Sequence, residues 1–172
     1  NLENIYNFNC DQLYMEVDGT FPNHPADPSS KENLQEIIKL VKDNNLDFGV
    51  AFDGDADRAV FIDDLGNIVS GSMMTTLIAD YLSEKNNNLK VVYNVNVSPH
   101  ALSLLESKGV SLFRCKVGHS NIKAMMKKLD ADFGGEHSAH FYYKDNYFAD
   151  SAILTLLMLM SIITEKGQKV SS

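Results

Sequence analysis

The run Phe52-Asp53-Gly54-Asp55-Ala56-Asp57-Arg58 limits what this chain can be more than any other stretch. Three carboxylates alternate with two small residues, and an arginine follows. Leu46 to Phe52 precedes the run and Ala59-Val60-Phe61-Ile62 follows it. Both flanks read as buried strands. The acidic residues therefore form a short loop at a strand end, where ligands commonly bind in open α/β sheets. Carboxylates this close repel one another, and ordering them costs free energy unless a cation neutralises them. Their hard oxygens suit Mg²⁺ or Mn²⁺ rather than zinc or copper. Gly54 and Ala56 leave room for a tight turn around one ion. An EF-hand calcium loop is excluded. That loop needs glycine at its sixth position and glutamate at its twelfth, and counted from Asp53 those positions hold Arg58 and Asp64. The plain alternative, an acidic solvated turn, fits the apolar flanks and Arg58 less well.

Taken in order, the chain alternates strands and helices. Leu13 to Val17 alternates weakly and is expected as a strand, followed by the turn-rich Asp18 to Pro25. Ser29-Ser30-Lys31-Glu32 matches a capping box with Ser29 as N-cap. Leu34, Ile37, Ile38 and Val41 then mark one helical face that ends at Asn44-Asn45. Asp64-Leu65-Gly66-Asn67 predicts a hairpin turn. Met74, Leu77, Ile78, Tyr81 and Leu82 predict a helix, Lys90 to Val95 a strand, and Ser98-Pro99 a helix start with Leu102 and Leu105 inward. Val110 to Cys115 reads as a strand. Ile122, Met125, Met126 and Leu129 mark the next helix. Ala131 to Gly134 and Phe141 to Tyr143 read as short strands. A helix from about Asp150 to Thr164 is expected to be buried on most sides, with a loose polar tail after it. The alternation argues for α/β layers with mixed, mostly parallel sheets and hairpin additions. Two units are expected, 1–69 and 70–172, with the first too short to be a complete domain.

Composition narrows the function. The formal net charge of the 172 residues is −8, which argues against nonspecific nucleic-acid binding. An acidic chain that holds a phosphate needs local cations or a metal, which favours the magnesium reading. Cys10 and Cys115 lack metal-ligand spacing and suit a reducing, cytoplasmic setting as small hydrophobes. The longest apolar run, Ala152 to Ile163, is short of the roughly 20 residues that cross a bilayer. The chain opens on Asn1 rather than methionine, which marks it as an expected piece of something longer.

A second constellation follows the sixth predicted strand. Gly135-Glu136-His137-Ser138-Ala139-His140 places four polar side chains within five positions. In an extended loop Glu136, Ser138 and His140 point one way and His137 the other. A carboxylate and a hydroxyl on one side can bind vicinal sugar hydroxyls, and a nearby histidine can move a proton near neutral pH. Zinc is disfavoured because no further ligand completes the set at a usual spacing. Upstream, Val117-Gly118-His119-Ser120 forms a strand–turn–helix junction with free backbone N–H groups. There His119 reads either as a phosphate or sugar contact or as a capping or surface histidine.

These segments together resemble the α-D-phosphohexomutases. Asp53-Gly54-Asp55-Ala56-Asp57-Arg58 is similar to that family's metal-binding loop. Gly135 to His140 is similar to its sugar-binding loop, in the form that bacterial phosphomannomutases use. Asp18-Gly19-Thr20-Phe21-Pro22-Asn23-His24 and Lys116-Val117-Gly118-His119-Ser120 also resemble family segments, and all four occur in family order. The resemblance implies two of four domains, the end of domain two and all of domain three. A phosphorylated serine would lie before Asn1 and a phosphate-binding fourth domain after Ser172. It implies transfer between the 1- and 6-positions of a hexose phosphate through a phosphoserine and a bisphosphorylated sugar. Asp53, Asp55 and Asp57 would hold Mg²⁺ and Arg58 would face the phosphoryl group. Glu136 and Ser138 would bind ring hydroxyls. His119 and His140 would contact the phosphosugar, with His140 better placed to move a proton. Some members carry a lysine where this chain has Asn96, so a cationic role there is lost or moved. A phosphoglucosamine mutase is the neighbouring enzymatic reading. A module that binds metal and sugar phosphate without turnover is the other, and it is expected of these residues in isolation.

Overall fold

The apolar residues decide which strands can pair and which faces they cover. The computed structural model describes residues 8–94 and 97–172. A 3₁₀ turn, Lys31–Leu34, leads into α1 (Gln35–Asn44). Then come β1 (Phe48–Phe52), β2 (Ala59–Asp63) and β3 (Ile68–Val69). The second unit runs α2 (Gly71–Ser83), β4 (Lys90–Asn94), α3 (Pro99–Ser107), β5 (Ser111–Cys115) and α4 (His119–Leu129). It closes with β6 (Phe133–Gly135), β7 (Phe141–Tyr143), β8 (Ala149–Asp150) and α5 (Ala152–Lys166).

The strands form two sheets, β1-β2-β3 and β5-β4-β6-β7-β8. Pairing is mixed, as expected, but parallel ladders are confined to β5–β4 and β4–β6, while β1–β2, β2–β3, β6–β7 and β7–β8 are antiparallel. The antiparallel share exceeds the expected one for a topological reason. Parallel neighbours need a crossover helix, and only α3 and α4 serve as crossovers here. The acidic run joins two strands, as expected, and is the hairpin loop between antiparallel β1 and β2.

Alternation along each strand builds the layers. Val91, Phe133, Phe141 and Tyr143 face a core shared with α2 and α5, while Val92 and Tyr142 face Ile122 and Met126 of α4. In β2, Ile62 packs with Leu34 and Val41 under α1, whereas Ala59 and Phe61 enter the shared core. The first sheet therefore borrows its second cover from the other unit, which explains how so few elements remain folded. Both loops of interest emerge from this continuous packing.

Several local expectations are corrected. Leu13 to Val17 forms no strand; Val17 is fully exposed and has no ladder to join. Ser29 does not cap a helix: its hydroxyl donates to Asp27 at 2.7 Å, and Ser30 occupies the N-cap of the 3₁₀ turn instead. Helix α5 buries Ala152, Leu156, Leu159 and Ile162 but exposes Ile153 and Leu154, so it is covered on one face rather than most sides. The tail is not loose. Ser171 donates to both oxygens of Asp64 at 3.1 Å and Val170 packs against the core. The predicted strand end at Val95 and the reading of Asn96 lie outside the described residues.

Candidate functional site

Pairing of β1 with β2 brings the three aspartates onto one tight hairpin loop. One carboxylate oxygen from each of Asp53, Asp55 and Asp57 lies within 4.8 Å of the others. The turn is closed by the Ala56 N–H, which donates to the Asp53 carbonyl at 3.1 Å. Ala56 itself adopts the left-handed region, with φ of 58°. Gly54 does not, and a methyl there would meet only Ala26 at 3.7 Å. The conformational demand thus falls on the alanine rather than the glycine.

Arg58 organises the loop. Its backbone N–H donates to Asp53 Oδ1 at 3.1 Å and its Nε to Oδ2 at 2.7 Å, and its guanidinium lies 3.6 Å from Asp27. Burial pushes the Asp53 carboxyl up, but the hydrogen bonds and charge of Arg58 outweigh it, and the net direction is down. Asp57 moves the other way. Burial raises it, His140 opposes the rise, and the charges of Asp53, Asp55 and Asp150 add to it. Three carboxylates face a single arginine in this loop, so its acidic side chains outnumber the cation that offsets them. Its oxygen-only donor set fits a hard divalent cation, because each Asp53 oxygen keeps a lone pair beyond those Arg58 uses.

The second loop is a turn rather than an extended segment. The Ala139 N–H donates to the Glu136 carbonyl at 3.1 Å and the Glu136 N–H to the His140 carbonyl at 3.0 Å, with Ala139 at φ 67°. The backbone is therefore not extended as expected, yet Ser138, His140 and Glu136 still neighbour one another while His137 turns to Ser72 at 3.3 Å. Glu136 is buried, and Ser138 lies outside with its hydroxyl 3.0 Å from His140 Nδ1. Helix α2 abuts this turn at Gly71, where a methyl would come within 2.4 Å of the Glu136 carbonyl oxygen.

The two loops meet. Arg58 and His140 form an antiparallel bridge, and the Ala59 N–H donates to the Ala139 carbonyl at 3.2 Å. His140 Nε2 lies 3.4 Å from Asp57 Oδ1, and its Nδ1 lies 3.7 Å from Glu136 Oε2. Asp53, Asp55, Asp57, Arg58, Glu136, Ser138 and His140 thus gather into one region. His119 stays apart. It is exposed in the first turn of α4, and among the described residues no hydrogen bond or ion pair ties it to the others. Its neighbour Gly118 does reach the site, donating its N–H to Glu136 Oε1 at 3.1 Å.

Four residues were not singled out in the sequence. Asp150 places an oxygen within 4.8 Å of donors from Asp57 and His140, and Lys123 pairs with it at 2.8 Å. Asn94 and Tyr142 both hydrogen-bond the Glu136 carboxylate. Asn94, Tyr142 and Asp150 sit at a strand end or in a short strand of the central sheet, where a polar residue among apolar neighbours is the one available signal, while Lys123 lies on α4.

A fold of two layered α/β units that joins an acidic hairpin to a polar turn defines a phosphohexomutase architecture. The family comparisons agree. The phosphoglucomutase/phosphomannomutase alpha/beta/alpha domain II pattern matches residues 2–66 and the domain III pattern residues 70–172. The chain belongs to the phosphoglucomutase/phosphomannomutase family. It is 36% identical over 154 residues to a phosphomannomutase of Methanocaldococcus jannaschii, covering 90% of this chain and 34% of that one. It is 36% identical over 154 residues to the phosphomannomutase/phosphoglucomutase of Pseudomonas aeruginosa PAO1, covering 89% and 33%. A solved phosphoglucomutase/phosphomannomutase family protein from Burkholderia thailandensis superimposes with a TM-score of 0.84 at 32% identity, over 89% of this chain and 34% of that chain. The chain therefore spans about a third of the length of the relatives it matches. Among the described residues no helix is long and apolar enough to cross a membrane.

Proposed function

We propose that this chain supplies the metal-holding and sugar-recognising parts of a phosphohexomutase that interconverts mannose 1-phosphate and mannose 6-phosphate and also accepts glucose phosphates. The observation that carries this reading is the junction of the two loops through Arg58, Asp57 and His140. A metal-holding loop and a sugar-holding loop serve phosphoryl transfer only if they share one space. The names of the relatives support the substrate class.

In this reading a phosphoserine elsewhere in the protein donates its phosphoryl group to a free sugar hydroxyl. The serine O–P bond breaks as the sugar O–P bond forms. The hydroxyl proton passes to a base, a role this reading gives to His140, and the serine oxygen is reprotonated. The bisphosphorylated sugar then turns over and returns its other phosphate to the serine by the reverse steps. A Mg²⁺ ion held by Asp53, Asp55 and Asp57 would neutralise charge on the transferring group. Arg58 keeps Asp53 ionised and adds positive charge beside the same group. Glu136 and Ser138 orient ring hydroxyls, and His119 with the N–H groups at the start of α4 offers an anion contact. Residues 1–69 and 70–172 are the two units. Alone, the 172 residues bind Mg²⁺ and hexose phosphate without turnover.

The test is a mutase assay on the full-length protein with mannose 1-phosphate and Mg²⁺, run beside Asp55→Asn. Turnover that Asp55→Asn largely removes supports the reading. Turnover of glucosamine phosphate alone would replace mannose with that substrate, and full activity of Asp55→Asn would remove the metal role.

A further inference from the structure

Glu136 is the most constrained carboxylate of the site, and its constraints come from residues that do not line it. Its side chain is 3% exposed. Oε1 accepts from Asn94 Nδ2 and from the Gly118 N–H, and Oε2 accepts from the Tyr142 hydroxyl at 2.9 Å. A carboxylate has about four acceptor positions. Three are filled by the protein, and the remaining one belongs to Oε2. The next polar atom on that side is His140 Nδ1 at 3.7 Å, too far for a hydrogen bond. The oxygen with the open position is therefore the one nearer His140, at the junction of the two loops.

Asn94 and Tyr142 are both buried, at 3% and 0% exposure. Asn94 spends both ends of its amide on this turn, because its Oδ1 also accepts the His137 N–H at 3.1 Å. Tyr142 lies beneath His140 as well, with ring centroids 6.4 Å apart at 23°. Among the described residues, neither side chain hydrogen-bonds anything outside this turn. A buried amide and phenol would otherwise be costly there.

We propose that Asn94 and Tyr142 are positioning residues that fix the Glu136 carboxylate so that its one unspent acceptor position meets a sugar hydroxyl. This rests on the reading of Glu136 as a sugar ligand. Tyr142 is the cleaner probe, since Tyr142→Phe removes one oxygen and keeps the ring.

The experiment measures mannose 6-phosphate and glucose 6-phosphate binding and turnover in the full-length protein for the wild type, Tyr142→Phe, Asn94→Ala, Glu136→Gln and the double variant Glu136→Gln/Tyr142→Phe. Tyr142→Phe is expected to raise KM and the calorimetric Kd about tenfold, with kcat held within about twofold. Asn94→Ala is expected to do at least as much. In the Glu136→Gln background, Tyr142→Phe is expected to add nothing, because it acts through that carboxylate. A lowered melting temperature with unchanged KM and Kd would overturn the proposal, as would equal, additive effects in the double variant. If Glu136→Gln itself binds sugar like the wild type, the sugar-ligand reading of Glu136 fails. If Glu136→Gln is impaired and Tyr142→Phe is not, that reading stands and the positioning role fails.

Discussion

Replacing Arg58 by methionine tests the electrostatic account of the acidic loop most directly. The change keeps a long apolar stem and deletes the guanidinium. The Asp53 carboxylate then retains the backbone N–H of residue 58 at 3.1 Å but loses the Nε donor at 2.7 Å. A hydrogen bond to a charged group contributes about 1.5–3 kcal/mol. The Arg58 side chain is 27% exposed, while that of Asp53 is 5% exposed. Solvent screening therefore moves the expected loss to the lower part of that range, about 1.5–2 kcal/mol. For a chain of this size that corresponds to a melting temperature lower by roughly 3–8 °C. The pH dependence has a defined sign. Asp53 is held below its ordinary carboxylate value in the fold, so its stabilisation is present above about pH 4 and is lost as pH falls through the depressed value. The gap between wild type and Arg58→Met should accordingly close in acid. Saturating Mg²⁺ should also narrow it at neutral pH, since a bound cation neutralises the same carboxylate. Thermal melts followed by circular dichroism, with and without Mg²⁺, measure all three. Equal melting temperatures without metal, or an identical gap with and without it, would refute the reasoning.

Other perturbations address the neighbouring parts. Asp57 is raised in the fold, so protonation favours the folded state and ionisation subtracts stability as pH climbs past the ordinary carboxylate range. Asp57→Asn should hold or raise the metal-free melting temperature at neutral pH and abolish the gain that Mg²⁺ gives the wild type, both read in a Mg²⁺ titration. Gly71→Ala places a methyl 2.4 Å from the Glu136 carbonyl oxygen and 2.7 Å from that of His137, both backbone atoms. The turn must move, at about 1–3 kcal/mol, and KM for sugar phosphate should rise more than kcat falls. Asp64→Ala removes both acceptors of Ser171 and the 3.5 Å ion pair with Lys169. Trypsin should then cut at Lys169 markedly faster, with little change in the far-ultraviolet circular dichroism.

Local signals in this chain were legible because they depend on near neighbours. The face Leu34, Ile37, Ile38 and Val41 packs as its spacing predicts, and Ser98-Pro99 starts α3 with Ser98 Oγ accepting the Ala101 N–H at 3.1 Å. The hairpin turn at Asp64–Asn67 forms where turn residues stood. Failures occurred where distant residues decide. Ser29 has a suitable capping pattern, yet Asp27 takes its hydroxyl. The tail carries no apolar stripe beyond Val170, yet Asp64, far back along the chain, anchors it. The turn at 136–140 reads as extended until α2 and β2 close on it from both sides.

The same division explains what could be known about the site. The acidic loop announces itself because three carboxylates in five positions need an explanation on electrostatic grounds alone. The support beneath Glu136 does not, because Asn94 lies 42 positions away and acts through one amide. Sequence patterns show where charge has been concentrated, whereas the fold shows which buried donors hold it in place. In this chain those donors come from β4, the loop before α4, and β7. Three separate stretches thus converge on a single carboxylate, and a substitution at any of them should be felt in sugar recognition before it is felt in metal binding. The acidic loop hangs from a different sheet and keeps its own arginine, so the proposed metal and sugar roles can be perturbed separately, although the two loops meet along a seam of Arg58–His140, Ala59–Ala139 and Asp57–His140 contacts. Disruption of that seam is therefore expected to degrade both together.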